Sequence, residues 1–300
     1  VVGAGAVGSY YGALLARDGH EVTLVARGPH LDVLRRRGSV VVREADGTTW
    51  EAAVRADDAP GGAPDLAIVA TKSQHTLAAA QALAPVLRPD TPVLSLQNGV
   101  ENVERIDSVV GAGRTLGGIA FIGVRIADPG VADHEAEGWV RMGDPAGDTP
   151  RARAVHALVS PSWDVELSDR IVRDQWHKLL WNVGFNALCA VTGATVGEAL
   201  ATGPSAALVR EAMEEVLALA VCRGIDLTPA DVDDMMGRND QLGSYRPSTA
   251  RDLDAGKPLE RDALCGFVVR EGRRLGVPTP VNHVLDGLLA LQEDRARRSR

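Results

Sequence analysis

The chain opens Val1-Val2-Gly3-Ala4-Gly5-Ala6-Val7-Gly8 and continues from Ser9 to Arg27 as SYYGALLARDGHEVTLVAR. Val1-Val2 reads as the end of a strand and the glycines as a tight turn. Ser9 to Asp18 reads as a helix stopped by Gly19-His20, and Glu21 to Ala26 as a second strand. Strand, glycine turn, helix and strand within about 30 residues is the setting in which Gly-x-Gly-x-x-Gly marks a dinucleotide site. The first glycine permits the turn, the second lets backbone approach a pyrophosphate, and the third lets helix pack on strand. Free N–H groups and the dipole of the helix N-terminus favour the phosphates. Gly3, Ala4, Gly5, Ala6, Val7 and Gly8 are thus candidate cofactor-binding residues. The structural alternative is a βαβ turn that binds nothing.

The next diagnostic position lies about 20 residues on, where an acidic side chain would hold a ribose 2′-hydroxyl. Here it is Arg27, after the second strand. A guanidinium pairs well with a 2′-phosphate, so the cofactor expected is NADP (NADPH) rather than NAD. The alternative is a solvated loop arginine.

Further along, Ser39 to Arg43 and Thr48 to Val54 read as a hairpin around Asp46-Gly47. Asp65 to Ala70 reads as a buried parallel strand that ends at Thr71-Lys72. Pro92 to Leu96 is another, ending at Gln97-Asn98-Gly99. Ligands of such sheets bind at the C-terminal edge of the strands. Asn98 and Lys72 are therefore candidates, and a plain surface lysine is the other reading of Lys72. Gln74 to Leu87, Val103 to Val109 and Ala152 to Leu158 read as helices. Thr115 to Arg125, the region 131–134, Trp139 to Met142 and Asp164 to Leu167 read as further strands.

After about residue 168 the strand signals stop. Helical runs follow at Arg170 to Val191, Val196 to Leu200, Ala206 to Arg223, Pro229 to Met236, Thr249 to Asp254, Glu260 to Leu275 and His283 to Arg297. Gly224, Gly256 and Gly276 act as stops, and Pro229 and Pro258 stand near starts. The expected fold class is α/β: an N-terminal Rossmann-type doubly wound sheet, residues 1–167, binds NADP. An all-α C-terminal domain, residues 168–300, carries the substrate and catalytic residues.

Composition sets the broad class. Of 300 residues, 45% are hydrophobic and 24% charged, ordinary for a globular protein. A net charge of −8 argues against nucleic acid as a bulk partner. Arg295, Arg297, Arg298 and Arg300 read as a frayed, solvated tail. Cys189, Cys222 and Cys265 are odd in number and lack metal-ligand spacing. They read as reduced core residues, and no metal site is expected. No apolar run reaches the ~18 residues of a membrane span, and no signal-peptide pattern opens the sequence, so a cytoplasmic protein is expected. The chain starts without Met inside a strand, which implies that a few residues of that strand precede it.

The helical half carries the most distinctive pattern. Lys178, Asn182 and Asn186 fall four apart among Leu179, Leu180, Trp181, Val183, Phe185 and Leu188. Each step of four drifts only about 40° around a helix, so the three form one polar stripe. An ammonium followed by two amides suits a small oxyanion. A lysine at a helix end with two packed amides is the other reading. Ser248 opens a helix and would cap it on the plainest reading. Glu260, in a first helical turn, is favoured there by the dipole alone.

Taken together, these residues resemble the ketopantoate reductase (2-dehydropantoate 2-reductase) family over essentially the whole chain. The marks are Gly3-x-Gly5-x-x-Gly8, Arg27, Lys72, Gln97-Asn98-Gly99, His177-Lys178-Leu179 through Asn186, Ser248-x-x-x-Asp252 and Glu260-Arg261-Asp262. Lys-x-x-x-Asn alone also occurs in β-hydroxyacid and 6-phosphogluconate-type dehydrogenases. The second asparagine with the later serine and glutamate is more specific. The resemblance implies NADPH-dependent reduction of ketopantoate to pantoate, in pantothenate and coenzyme A biosynthesis. It implies Lys178 as general acid and Asn182, Asn186 and Ser248 as ligands of the substrate carboxylate and hydroxyl. Asn98 would touch substrate and nicotinamide ribose. Glu260 would lie near that ribose or the substrate hydroxyl and could orient Lys178. Departures are Tyr245, where the family often has Asn, Thr249, where Met is frequent, and Arg261, where an apolar residue is usual. They bear on the substrate's acyl substituent more than on the reaction. The rival readings are a reductase of a different 2-keto acid, a β-hydroxyacid dehydrogenase, and a non-catalytic NADPH-binding sensor. A small-molecule 2-keto acid is the partner expected, with a homodimer suggested only by analogy.

Overall fold

The computed structural model describes residues 1–237 and 243–298. The chain divides into two compact units, Val1–Ile171 and Val172–Arg300. The first is built from strands β1 (Thr23–Val25), β2 (Ser39–Arg43), β3 (Thr49–Ala53), β4 (Arg55–Asp57), β5 (Ala67–Val69), β6 (Val93–Ser95), β7 (Thr115–Asp128), β8 (Val131–Gly143) and β9 (Asp164–Leu167). Val2 bridges β1 and β5 in parallel. The pairing therefore runs β4-β1-Val2-β5-β6-β7-β8-β2-β3, with β9 added to β8. Only Val54 separates β3 from β4, so the chain runs directly from one end of this path to the other and the strands curve into a half-barrel.

Helix Ala6–Arg17 lies inside this curved sheet. Eight consecutive residues, Gly8 to Leu15, are buried, which a helix packed on one side cannot achieve. It packs on β1, β2, β3, β7 and β8. Tyr11, fully buried, donates its hydroxyl to the Trp139 carbonyl at 3.3 Å. Trp163 Nε1 donates to the Tyr11 carbonyl at 3.1 Å. Burial also pushes the Tyr11 phenol well above its ordinary pKa, so it stays a neutral donor. On the other face, helices Thr76–Leu83 and Asn102–Val110 cover a second core of Val2, Ala67, Val69 and Val93. Ile68 and Leu94 point instead to the first core. This is the period-two alternation of a sheet buried on both faces.

The expected hairpin is present as β2 and β3. Two elements were not legible in the sequence. Helix Gly28–Arg37 has Pro29 in its first turn, buries Leu31 and Leu34, and ends on Gly38 at φ 72°. Those residues were its signal, masked by the run Arg35-Arg36-Arg37. The short β4 carries no alternating pattern. The two strands expected at 131–134 and 139–142 are one strand, β8, with register shifts in its pairing to β7 and Glu137 at φ 54°.

The second unit is helical: Ile171–Trp181, Ala187–Thr192, Val196–Leu200, Gly203–Cys222, Pro229–Gly237, Ser248–Asp254, Cys265–Leu275 and Pro280–Arg298. Three expectations need correction. Residues 182–186 are a π turn rather than part of one continuous helix. The helix expected from Glu260 starts at Cys265, after a 3₁₀ turn Arg261–Ala263. Cys222 is exposed. It ends its helix off the buried stripe Val209, Ala212, Met213, Val216, Leu219 and Ala220. The basic tail is helical to Arg298, with i,i+4 ion pairs Arg297–Glu293 at 3.1 Å and Arg298–Asp294 at 2.7 Å. Arg300 lies outside the described residues. Among the described residues, no helix is long and apolar enough to cross a membrane.

Enclosure of the central helix has a measurable consequence. Tyr11→Ala should cost about 3–5 kcal/mol, and Tyr11→Phe about 1 kcal/mol, by urea unfolding. A cost for Tyr11→Ala no larger than that for Tyr11→Phe would contradict the enclosure.

Candidate functional site

The strand pairings place four loops of the first unit at one edge. β1, Val2, β5 and β6 are mutually parallel, so their C-terminal ends point the same way. Gly3 to Gly8 follows Val2, Arg27 follows β1, Lys72 follows β5 and Asn98 follows β6. All the candidate cofactor residues of this unit therefore share one sheet edge. Arg27 is exposed and immediately precedes helix Gly28–Arg37. Lys72, half-buried, precedes the 3₁₀ turn Ser73–His75. Asn98 is half-buried, and its carbonyl accepts from Asn102 Nδ2 at 2.7 Å.

The three glycines of the turn have different reasons. A Cβ on Gly3 would meet Thr71 N at 2.6 Å, and φ is +98° there. A Cβ on Gly8 would meet the Gly3 carbonyl oxygen at 2.3 Å. Both are fixed by the protein's own packing. Gly5 is not: its φ is −74° and a Cβ there would have nothing within 4 Å. What the missing side chain leaves room for is a ligand lying on the backbone. Gly5 is also the N-cap of helix Ala6–Arg17 and has no side chain to cap it. The N–H groups of the first turn are thereby left for an anion. Val7, at half-burial, and the small Ala4 and Ala6 complete the turn. These residues fit a dinucleotide pyrophosphate.

Behind this edge lies a buried polar network that the sequence reading did not single out. Gln97 Nε2 donates to Thr71 O and Thr71 Oγ1, both at 3.0 Å, and to Thr76 Oγ1 at 2.8 Å. Thr76 Oγ1 lies 2.9 Å from Asn102 Oδ1 and 2.8 Å from the Ser73 carbonyl. Amides and hydroxyls after a strand carry no periodic pattern, so only their neighbourhood in space identifies them.

In the second unit, the polar stripe is present with altered geometry. Lys178 is half-buried in the last turn of helix Ile171–Trp181. Asn182 and Asn186 are buried, at 5% and 3% exposure. In an α-helix the step from 182 to 186 would overshoot a full circle by about 40°. A π turn bonds i to i+5 and rotates less per residue, so the same step falls short and offsets the drift from Lys178 to Asn182. The two amides consequently stack: Asn186 Nδ2 donates to Asn182 Oδ1 at 3.2 Å. Asn186 Oδ1 is buried without a hydrogen-bond partner, an arrangement that disfavours the empty state and suits a ligand donor. Gly184, inside the turn, lets helix Gly203–Cys222 approach: a Cβ there would meet Met213 Cε at 2.7 Å and Val209 Cγ1 at 3.1 Å.

Ser248 is the first residue of helix Ser248–Asp254, which packs on the π turn. Its N-cap is Pro247, so Ser248 does not occupy the capping position. The loop before it is held by Val196 N donating to the Tyr245 carbonyl at 3.1 Å and Gly197 N to the Gly243 carbonyl at 2.7 Å. Glu260 is 8% exposed, and its carbonyl accepts from Ala263 N at 3.0 Å. Thus Asn182, Asn186 and Ser248 lie on adjoining elements, with Lys178 one turn before the π turn, while Glu260 heads a separate turn packed on helices Cys265–Leu275 and Pro280–Arg298. Arg261 has a structural partner, Asp286, at 2.5 Å. Among the described residues, no group of His, Cys, Asp or Glu is placed to hold a metal ion.

Comparisons with known proteins agree with this architecture. The family described as ketopantoate reductase PanE/ApbA matches residues 1–147, and its C-terminal counterpart matches residues 170–293. The chain is 30% identical to a 2-dehydropantoate 2-reductase of Halobacterium salinarum over 98% of each chain. It is similar to the crystal structure of a PanE/ApbA family ketopantoate reductase from Ralstonia eutropha, at TM-score 0.90, 33% identity and coverage of 99% and 98% of the two chains. The fold is also that of D-mandelate dehydrogenase with NADH and anilino(oxo)acetate, at TM-score 0.90, 24% identity and coverage of 99% and 98%.

The open space at Gly5 has a separable consequence. Gly5→Ala should keep wild-type stability or gain up to about 1 kcal/mol, yet weaken nicotinamide-nucleotide binding in a fluorescence titration. Unchanged affinity would remove the ligand from the explanation of Gly5.

Proposed function

This chain belongs to the ketopantoate reductase family, and on that premise we propose that it reduces 2-dehydropantoate to pantoate with NADPH, in pantothenate and coenzyme A biosynthesis. The observation that carries the reading is the stacked Asn182–Asn186 pair, one helical turn beyond Lys178, with a buried acceptor unpartnered on Asn186. A 2-keto acid bearing a hydroxyl offers both an oxyanion for the amide N–H groups and a donor for that acceptor.

Bound at the glycine turn, the reduced nicotinamide supplies the hydride. Gly3 to Gly8 hold the pyrophosphate through backbone N–H groups, and Arg27 pairs with the 2′-phosphate. Lys72 adds a cation at the same edge. In this reading Lys178 is the general acid. Its ammonium hydrogen-bonds the keto oxygen, draws charge onto it, and delivers a proton as the carbonyl carbon receives the hydride. The keto carbon would gain the hydride as a C–H bond of the nicotinamide breaks and that ring is oxidised, and the keto oxygen would gain a proton as an N–H bond of the Lys178 ammonium breaks; the carbonyl π bond is lost, leaving the hydroxy acid and a neutral lysine that regains its proton from solvent. Asn182, Asn186 and Ser248 fix the carboxylate and hydroxyl so that the keto carbon is within reach. Asn98 holds substrate and nicotinamide ribose. In this reading Glu260 faces that ribose or the substrate hydroxyl and orients Lys178.

The second reading, reduction of a different 2-keto acid, is favoured by Tyr245 on the loop that leads to Ser248. Arg261 gives it less support, since its pairing with Asp286 supplies a structural reason for that residue.

Lys178→Ala should lower kcat by about 10²–10⁴-fold and leave NADPH binding unchanged, measured by steady-state oxidation and by titration. Near wild-type turnover would remove Lys178 from the mechanism.

A further inference from the structure

The side chain of Gln97 points into the protein, at 5% exposure, while its neighbour Asn98 stands at the sheet edge. One amide hydrogen of Gln97 reaches Thr76 Oγ1 at 2.8 Å, and the other is shared between Thr71 O and Thr71 Oγ1 at 3.0 Å. Its Oε1 accepts from Ser95 Oγ at 3.2 Å. Thr76, 1% exposed, is the hub. Its oxygen accepts from Gln97 and its single proton lies between Asn102 Oδ1 at 2.9 Å and the Ser73 carbonyl at 2.8 Å. Asn102, 3% exposed, closes the circuit by donating to the Asn98 carbonyl at 2.7 Å.

The circuit ties the segment after β5, with Thr71, Lys72 and Ser73, to the segment after β6, with Gln97, Asn98 and Asn102. The glycine turn abuts the same place, since Gly3 lies against Thr71. A helix or strand would not need these bonds, and loops at a sheet edge would otherwise move independently. Buried networks in which each member is satisfied act as a unit and rigidify what they join.

We infer that Gln97, Thr76 and Asn102 are positioning residues: a buried clamp that sets Asn98 and Lys72 in one fixed relation for the nicotinamide cofactor and substrate. The clamp itself touches neither. It rests on the functional reading for the roles of Asn98 and Lys72, and on the family's nicotinamide cofactor for its readout. Loss of one buried hydrogen bond displaces a loop that must be placed closely, so the effect falls on binding and turnover together.

The test is a pair of substitutions at the hub. Thr76→Val keeps the shape and removes the hydroxyl; Thr76→Ser keeps the hydroxyl and removes the methyl. Gln97→Glu is a second variant that keeps size and loses the amide donor. The Kd for NADPH, and kcat and KM with 2-dehydropantoate, are measured below each variant's unfolding midpoint. The expected result is a loss of at least about tenfold in NADPH affinity or kcat/KM for Thr76→Val and Gln97→Glu, with Thr76→Ser near wild type. Wild-type constants in Thr76→Val and Gln97→Glu would overturn the clamp. So would equal impairment of Thr76→Ser, which would assign the effect to packing, or failure of Thr76→Val and Gln97→Glu to fold, which would assign it to stability. If the wild-type enzyme leaves 2-dehydropantoate unreduced, the functional reading fails, and the NADPH affinities still decide the clamp.

Discussion

Burial of helix Ala6–Arg17 against β1, β2, β3, β7 and β8 is the constraint on which the first unit depends. The helix can enter this curved sheet only if its start is compact, and Gly3 and Gly8 make it so by letting the turn lie against itself and against Thr71. Its N-terminus then emerges at the edge where β1, Val2, β5 and β6 end. Candidate cofactor residues scattered from Gly3 to Asn98 share that edge because those four segments are parallel. The same burial explains why Tyr11 and Trp163 exchange hydrogen bonds with backbone inside the core: a buried phenol or indole needs a partner.

The second unit solves a different problem. Two candidate amides stand four residues apart in a helix whose natural repeat carries them around its axis. The π turn at 182–186 corrects the drift locally, and Gly184 keeps Met213 and Val209 close enough to bury it. A π turn leaves the local backbone less well bonded than an α-helix, and such turns recur at functional sites. Here the result is a stacked pair with one buried acceptor uncommitted. The chain therefore departs from regular helix at the two candidate amides.

The fold was largely legible because its elements carry strong periodic signals: glycine turn, buried parallel strands, then helices with glycine stops. Helix Gly28–Arg37 escaped because only Leu31 and Leu34 are buried along it, and β4 because three residues, with Ala56 half-buried between exposed Arg55 and Asp57, are too few to show a pattern. Cys222 was misread as core since an apolar helix was taken to be apolar on every face. The stripe Lys178, Asn182 and Asn186 was visible as spacing, but its alignment was not, since spacing assumes the repeat that the π turn breaks. Gln97, Thr76 and Asn102 were invisible as a group because they meet only through the parallel pairing of β5 and β6.

A buried acceptor on Asn186 and a guanidinium after β1 together define what the wild-type enzyme should select. A site built to bond a hydroxyl rejects the analogue that lacks it far more strongly than a hydrophobic pocket rejects a missing methylene. The most direct measurement is kcat/KM for 2-dehydropantoate beside the same branched 2-keto acid without its hydroxyl, each with NADPH and with NADH. Efficient reduction of 2-dehydropantoate with NADPH is expected, with losses of at least about 10²-fold for the deoxy acid and about tenfold for NADH. Equal turnover of the two acids, or a preference for NADH, would contradict that expectation.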